Sequence, residues 1–226
     1  MQILYEDNHL IAVNKPHGQL TQADVGGEVS LFDEVKAFIK ERDQKPGNVF
    51  LGLLHRLDRP VGGVVLFAKT SNGASRLSEQ FRNHTVEKTY WAIVEDKNKK
   101  LKIKDSGSVI QWLKKDEVNN IVTAFDREVS GSQRAELTYR VIRNFNLVNF
   151  NTLLSFLEVT PKTGRPHQIR VAMASLGTPI VGDLKYGATA KLKHDIALFG
   201  RSLSFDHPTT RERITVTAEP TLAIFS

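Results

Sequence analysis

At 226 residues with 40% apolar side chains, the chain is long enough to bury a real core and too short for a large multidomain assembly, so a single globular domain is expected. The absence of cysteine excludes disulfides, thiolate zinc sites, iron–sulfur clusters and every mechanism built on a cysteine nucleophile, cysteine-dependent base methylation included. A net charge of +6 is compatible with a surface for phosphates and equally with one that merely keeps the protein soluble; no run approaches the ~20 apolar residues of a membrane span and no signal peptide opens the chain, so a cytoplasmic location is expected.

Residues 3–16 hold two short apolar runs, ILY and LIAV, separated by the polar Glu6-Asp7-Asn8-His9, which predicts a hairpin ended by Lys15-Pro16-His17-Gly18. Ser30 with Asp33 three residues on has the form of a helix cap, and Leu31, Val35 and Phe38 then recur at helical spacing through Lys40. Residues 49–54 and 64–68 predict two buried strands with residues 55–63 as the loop between them. Ser71 opens a second helix on which Ala74, Leu77 and Phe81 share a face, and residues 88–94 restore strand character. Residues 96–108 contain the lysine-dense KNKKLKIK, an exposed loop or edge strand whose Lys97, Lys99, Lys100 and Lys102 are either solvated or outer contacts for a polyanion. Further strands are expected at 136–142, 153–159, 196–205 and 214–218, and one helix at 165–176. Strands outnumber helices without regular alternation, which indicates an α+β fold with a mixed, largely antiparallel sheet flanked by helices and loops. No repeat, low-complexity tract or linker divides the chain.

The most informative segment is Leu54-His55-Arg56-Leu57-Asp58-Arg59-Pro60-Val61-Gly62-Gly63, where ionisable residues and two glycines interrupt apolar strands. Strand-end loops are where rigid sheets present catalytic side chains, and a carboxylate between Arg56 and Arg59 would stay ionised. Asp58 is therefore a candidate nucleophile or base; the plain alternative is a turn aspartate satisfied by two surface arginines.

This loop, with the strand and Ala-Lys after it, resembles the HRLD motif of the RluA-type RNA pseudouridine synthases, and further segments agree in order. ILYEDNHLIAVNKPHG is similar to that family's opening hairpin and NKP-x-G, Glu87-Lys88-Thr89-Tyr90 to its K-x-Y, and TGRPHQIR with the later GTPIVGD and Tyr186-Gly187 to its TGR-x-HQIR and G-x-PI-x-GD motif. LFGRSLSFDHP resembles its closing strand. The likeness runs from Ile3 to about Pro220. Departures are Val61-Gly62 for a common Thr-Ser, Pro166 for Thr or Ser, and Phe199-Gly200 for His-Ala.

The resemblance implies an isomerase that converts uridine in structured RNA, a tRNA or rRNA stem-loop, to pseudouridine: the N1–C1′ bond breaks, the uracil turns, and C5 joins C1′. It assigns Asp58 as the nucleophile, able to add and then leave; attack at ribose C1′, addition at uracil C6 and a glycal route are all open to a carboxylate. Tyr90 would stack on the uracil and help remove the C5 proton, its alternative being an ordinary half-buried sheet tyrosine. Arg170 would pair with Asp58 and keep it deprotonated. Arg56, Arg59, Lys88, Arg165, His167, Gln168 and Leu198 are the expected RNA contacts; for Arg56 and Arg165 a surface ion pair is an equal alternative, and for Leu198 a place in the core is the simpler reading. An isomerisation of groups already present needs no cofactor and no metal, and His55, His167 and His207 lack metal-ligand spacing. The target base would have to flip out of its stack. Nothing precedes the first motif where many relatives carry a small S4-type RNA-binding domain, so a monomer that chooses its substrate with the catalytic domain alone is expected. The rival readings are a non-catalytic RNA-binding or RNA-chaperone protein that keeps the fold, and a hydrolase that would release free base.

Overall fold

A computed structural model of the chain describes residues 1–24, 26–44, 46–96, 103–146, 152–192 and 195–225. The backbone sorts into two compact units, Met1–Lys88 with Gly200–Thr221, and Thr89–Phe199 with Leu222–Ser226.

In the first unit β1 (Gln2–Glu6) and β2 (Leu10–Lys15) form the expected antiparallel hairpin, and β2 pairs in turn with β4 (Gly62–Ala68). The turn is closed by Asp7, whose carboxylate accepts the backbone N–H of His9 and Leu10 at 2.7 Å each and the phenol of Tyr5 at 2.6 Å. Every residue of β4 is buried, which is why the segment reads as an unbroken apolar run. β10 (Leu198–Asp206) lies beside β4, and β11 (Arg213–Thr217) pairs antiparallel with β10. α1 (Leu31–Arg42) starts at a capping box in which Ser30 and Asp33 satisfy each other's backbone. Its buried stripe is Leu31, Val35 and Ile39. Phe38, expected in that stripe, is half-buried with the Arg42 guanidinium over its ring, and Ile39 is buried in its place. α2 (Ser71–Arg82) is capped by Thr70. Phe32 of α1 packs on Phe67, whereas Gly73 of α2 sits against Ala68. Successive strand residues point to opposite faces, so the two helices cover opposite faces of β4. The expected strand at 49–54 shrinks to β3 (Gly52–Leu53); Val49 and Leu51 are buried, but only two residues reach the β4 ladder.

The second unit is an antiparallel sheet in the order β5-β9-β8-β6-β7: β5 (Glu87–Asp96), β9 (Leu153–Pro161), β8 (Gln133–Phe145), β6 (Ser106–Asp116) and β7 (Ile121–Phe125). The hairpin β6–β7 was not expected from sequence. α3 (Gln168–Ser175) covers one face, its Val171 packing with Leu113, Val122 and Ala135. It begins three residues later than expected, because His167 takes a left-handed φ of 51° and Arg165 and Pro166 precede the helix instead of opening it. No helix among the described residues is long and apolar enough to cross a membrane.

Candidate active site

The loop carrying Asp58 is held on both sides by bonds to its backbone from residues 15–21. Thr21 clasps Leu57, its hydroxyl donating to the Leu57 carbonyl at 2.8 Å and accepting the Leu57 N–H at 3.2 Å. On the other side Gly18 N–H donates to the Arg59 carbonyl at 2.9 Å, and Lys15 Nζ donates to the carbonyls of Pro16, Gln19 and Arg59 at 3.1, 2.6 and 3.2 Å. Lys15 is fully buried, a position that an ammonium tolerates only when its donors are satisfied in this way. Asp58 therefore sits at a tethered point of the chain, half-buried, with its own carbonyl closing a turn onto the Val61 N–H at 3.0 Å. Lys15 belongs to the NKP-x-G motif, so its importance was visible although its role was not; nothing in sequence singled out Thr21.

Arg59, expected beside the Asp58 carboxylate, pairs with Glu28 at 2.8 Å and donates to the Gly18 carbonyl at 3.1 Å. Arg56 is exposed and makes no hydrogen bond or ion pair with any described residue. His55 anchors the start of the loop: its Nε2 accepts the Leu66 N–H at 3.1 Å and its ring stacks on Phe81 at 5.1 Å. An accepting Nε2 makes the ring the neutral Nδ1–H tautomer. Burial first, and the nearby Lys88 ammonium second, push its pKa down to about 3, and burial also pulls Lys88, half-buried on β5, below the usual lysine range.

A pH dependence follows. The unfolded imidazole takes up a proton near 6.5 and the folded one only near 3, so the stability that neutral His55 contributes is complete above about pH 6.5 and erodes as pH falls through that window. The urea midpoint of the wild type is expected to fall more steeply from pH 7 to 5.5 than that of His55→Gln, which keeps a polar side chain and loses the titration. Equal slopes would remove His55 as the cause.

In the second unit Tyr90 lies on β5 opposite Val159, and Val159 lies opposite Tyr139, so one cross-strand row holds all three side chains on one face. Ala135 of β8 shares that face with Tyr139 and packs against Val171, which places Tyr90 on the side of this sheet that α3 covers. α3 carries Arg170, buried at 6% exposure, with Nε and Nη2 on the two carboxylate oxygens of Asp183 at 2.7 and 2.8 Å. The guanidinium carbon also sits 5.0 Å from the centre of the Tyr186 ring. Asp183 and Tyr186 were quoted in the GxPIxGD and Tyr-Gly segments without a role.

Gln168 is buried, and its amide stitches the preceding loop to β8: Oε1 accepts from Thr163 Oγ1 at 2.8 Å and Arg165 N–H at 3.0 Å, and Nε2 donates to the Glu136 carbonyl at 2.9 Å. Arg165, half-buried, turns Nε to the Arg134 carbonyl at 3.2 Å, and His167 Nδ1 bonds the Tyr186 hydroxyl at 2.6 Å. Leu198 is buried at the start of β10. The expected outer contacts Lys97, Lys99, Lys100 and Lys102 lie outside the described residues.

Comparison with known proteins adds an independent line. Residues 9–175 match the model of the RNA pseudouridylate synthase family. The chain is 34% identical over 234 residues to tRNA pseudouridine synthase C of Vibrio cholerae, covering 96% of this chain and 90% of that one. It is 33% identical over 219 residues to the uncharacterized RNA pseudouridine synthase YhcT of Bacillus subtilis, covering 96% and 68%. Among solved structures, human RNA pseudouridylate synthase domain containing 4 superposes with a TM-score of 0.77 over 99% of this chain and 90% of its own, at 24% identity, a likeness of fold.

Proposed function

Because the chain belongs to the RNA pseudouridylate synthase family, we propose that it isomerises uridine in transfer RNA, with Asp58 as the nucleophile. The protein is an RNA pseudouridine synthase, an isomerase with the mixed, mostly antiparallel fold of that family. The observation that carries the choice of tRNA over rRNA is the near end-to-end likeness to tRNA pseudouridine synthases C, which covers 96% of this chain.

In the reaction the C5 proton leaves, N1 gains one, and the glycosidic link passes from N1 to C5, so the nucleophile must add and depart without being consumed. Asp58 suits that task, since its loop is tied down at Leu57 and Arg59 while the carboxylate itself is only half-buried. Tyr90 supplies a ring to stack on the flipped uracil and a phenol for the C5 proton, and Arg170 supplies the cation that keeps the nucleophile ionised. Arg56, exposed and without a partner among the described residues, is the clearest phosphate contact of the loop. Arg59 can exchange its exposed pair with Glu28 for a phosphate at little cost, since such pairs contribute about 0–1 kcal/mol. Lys88, Arg165, His167, Gln168 and Leu198 complete the proposed contact set.

The test is a pseudouridine map of total RNA from cells with and without the protein. Loss of one or more tRNA pseudouridines is expected when it is absent. Loss confined to rRNA would overturn the choice of substrate, and an unchanged map would favour the non-catalytic reading.

A further inference from the structure

The reaction gives a reason for Arg170 to be charged, but not for what surrounds it. A buried arginine on a long flexible stem has several rotamers, and only a fixed one presents its fork reproducibly. Two groups of the second unit fix it. Asp183 takes it side-on through Nε and Nη2, at 2.7 and 2.8 Å, a two-point grip that sets both the position and the plane of the guanidinium. Both partners are buried, so the pair is held in a low-dielectric setting where one geometry is strongly preferred. Asp183 is itself immobilised: its N–H donates to the Ile180 carbonyl at 3.0 Å and its carbonyl accepts the N–H groups of Tyr186 and Ala188 at 3.1 and 3.0 Å. The short 3-10 turn Leu184–Tyr186 then brings the Tyr186 ring against the guanidinium, 5.0 Å from centroid to carbon.

Tyr186 does more than stack. Its hydroxyl accepts the Val122 N–H of β7 at 3.0 Å and shares a 2.6 Å bond with His167 Nδ1 at the head of α3. Val122 also packs on Val171, the residue after Arg170. One phenol thus joins the β6–β7 hairpin, the start of α3 and the plane of Arg170.

We propose that Asp183 and Tyr186 are positioning residues of the synthase, Asp183 fixing the fork of Arg170 and Tyr186 locking that fork to the β6–β7 hairpin. The inference rests on the reading that Arg170 serves the reaction. Side-on pairing commits Nε–H and one N–H of Nη2 to Asp183, so the edge formed by Nη1 and the second Nη2 N–H is the part of the fork that serves the chemistry. Loosening either support leaves the charge in place and spoils its aim, which slows the chemical step and leaves RNA affinity alone.

The test uses total RNA labelled with 5-tritiated uridine, from cells lacking the protein, and the whole chain in excess over sites. Tritium release gives the maximal single-turnover rate, and its dependence on protein concentration gives the half-saturating value. Tyr186→Phe keeps the ring and removes only the hydroxyl; its maximal rate is expected to fall about tenfold, and that of Asp183→Asn about a hundredfold, with half-saturation unchanged in both. Circular dichroism and a urea midpoint establish that each is folded. Should Asp183→Asn fail to fold, Tyr186→Phe decides alone. Full rate in Tyr186→Phe, or a loss that appears in half-saturation instead of the maximal rate, would overturn the inference. Arg170→Lys separates the two layers: if it turns over normally, the reading of Arg170 itself fails, whereas a slow Arg170→Lys beside a fast Tyr186→Phe and Asp183→Asn sinks only the positioning role.

Discussion

Asp58→Asn should leave a folded protein that binds RNA and makes no pseudouridine. The side chain keeps its shape and loses its charge, and the amide that replaces the carboxylate is neither a nucleophile nor a leaving group for a ribose or a uracil carbon. The loop around it is held by groups that the change does not touch. Thr21 clasps the backbone of Leu57, Gly18 and Lys15 hold the carbonyl of Arg59, and the turn from Asp58 to Val61 is made by main-chain atoms. Stability is therefore expected to stay within about 1 kcal/mol of wild type. Turnover should fall by on the order of 10⁴-fold or more, the scale seen when a nucleophile is removed from a preorganised site. Tritium release from RNA labelled at uridine C5 reads the chemistry, and filter binding of the same RNA reads the affinity. A variant that still releases tritium within tenfold of the wild-type rate would exclude Asp58 as the nucleophile, whatever the family resemblance says. Affinity lost in parallel would mean that the carboxylate organises the RNA-binding surface and is not a purely chemical group.

The parts of the fold that local chemistry decides were legible in the sequence. The first hairpin shows two apolar runs around a polar turn, and Asp7 closes it with bonds that any chain of that pattern could make. The cap at Ser30 needs only Asp33 three residues on. What escaped notice depends on partners far along the chain. β6 carries its apolar residues at Val109, Ile110, Trp112 and Leu113, a cluster without alternation, and it becomes a strand because β8 pairs with it on one side and β7 on the other. The start of α3 was misplaced because Pro166 is a good first helical residue, whereas His167 adopts a left-handed turn that no propensity foretells. The site divides in the same way. Asp58, Tyr90 and Arg170 stood out through short motifs, yet the groups that hold them, Thr21 for the loop and Asp183 for the guanidinium, lie 36 and 13 residues away from the atoms they bind. The division into two units was also invisible, because each unit is assembled from separate stretches and no composition change marks where the chain passes from one to the other.

Gly63→Ala is expected to be the most damaging small substitution in the catalytic motif, through the fold and not the chemistry. Gly63 is the second residue of β4 and adopts a φ of +129°, a region that costs a residue with a side chain about 1–3 kcal/mol. Space adds to that. A Cβ at Gly63 would stand 2.4 to 2.6 Å from the backbone oxygen, nitrogen and Cα of Gly200, all of them main-chain atoms of the neighbouring β10, so relief requires the two strands to part. Parting them opens the centre of the first unit's sheet, where every residue of β4 is buried, and removes the surface on which the catalytic loop rests, since Leu57 packs over Gly200. The combined cost is comparable to the roughly 5–15 kcal/mol by which domains are stable, so most of the variant should be insoluble or unfolded at 37 °C. Gly200→Ala is the control. Its Cβ would meet the Leu57 methyls at 3.6 Å, an ordinary contact, its φ is not in the left-handed region, and alanine is what the resemblance places there. The expected result is a soluble Gly200→Ala with a urea midpoint near wild type beside a Gly63→Ala that does not fold. A cooperative Gly63→Ala with a midpoint close to wild type would show that β4 and β10 can separate without loss, and the close approach of their backbones would no longer explain why glycine follows the catalytic loop.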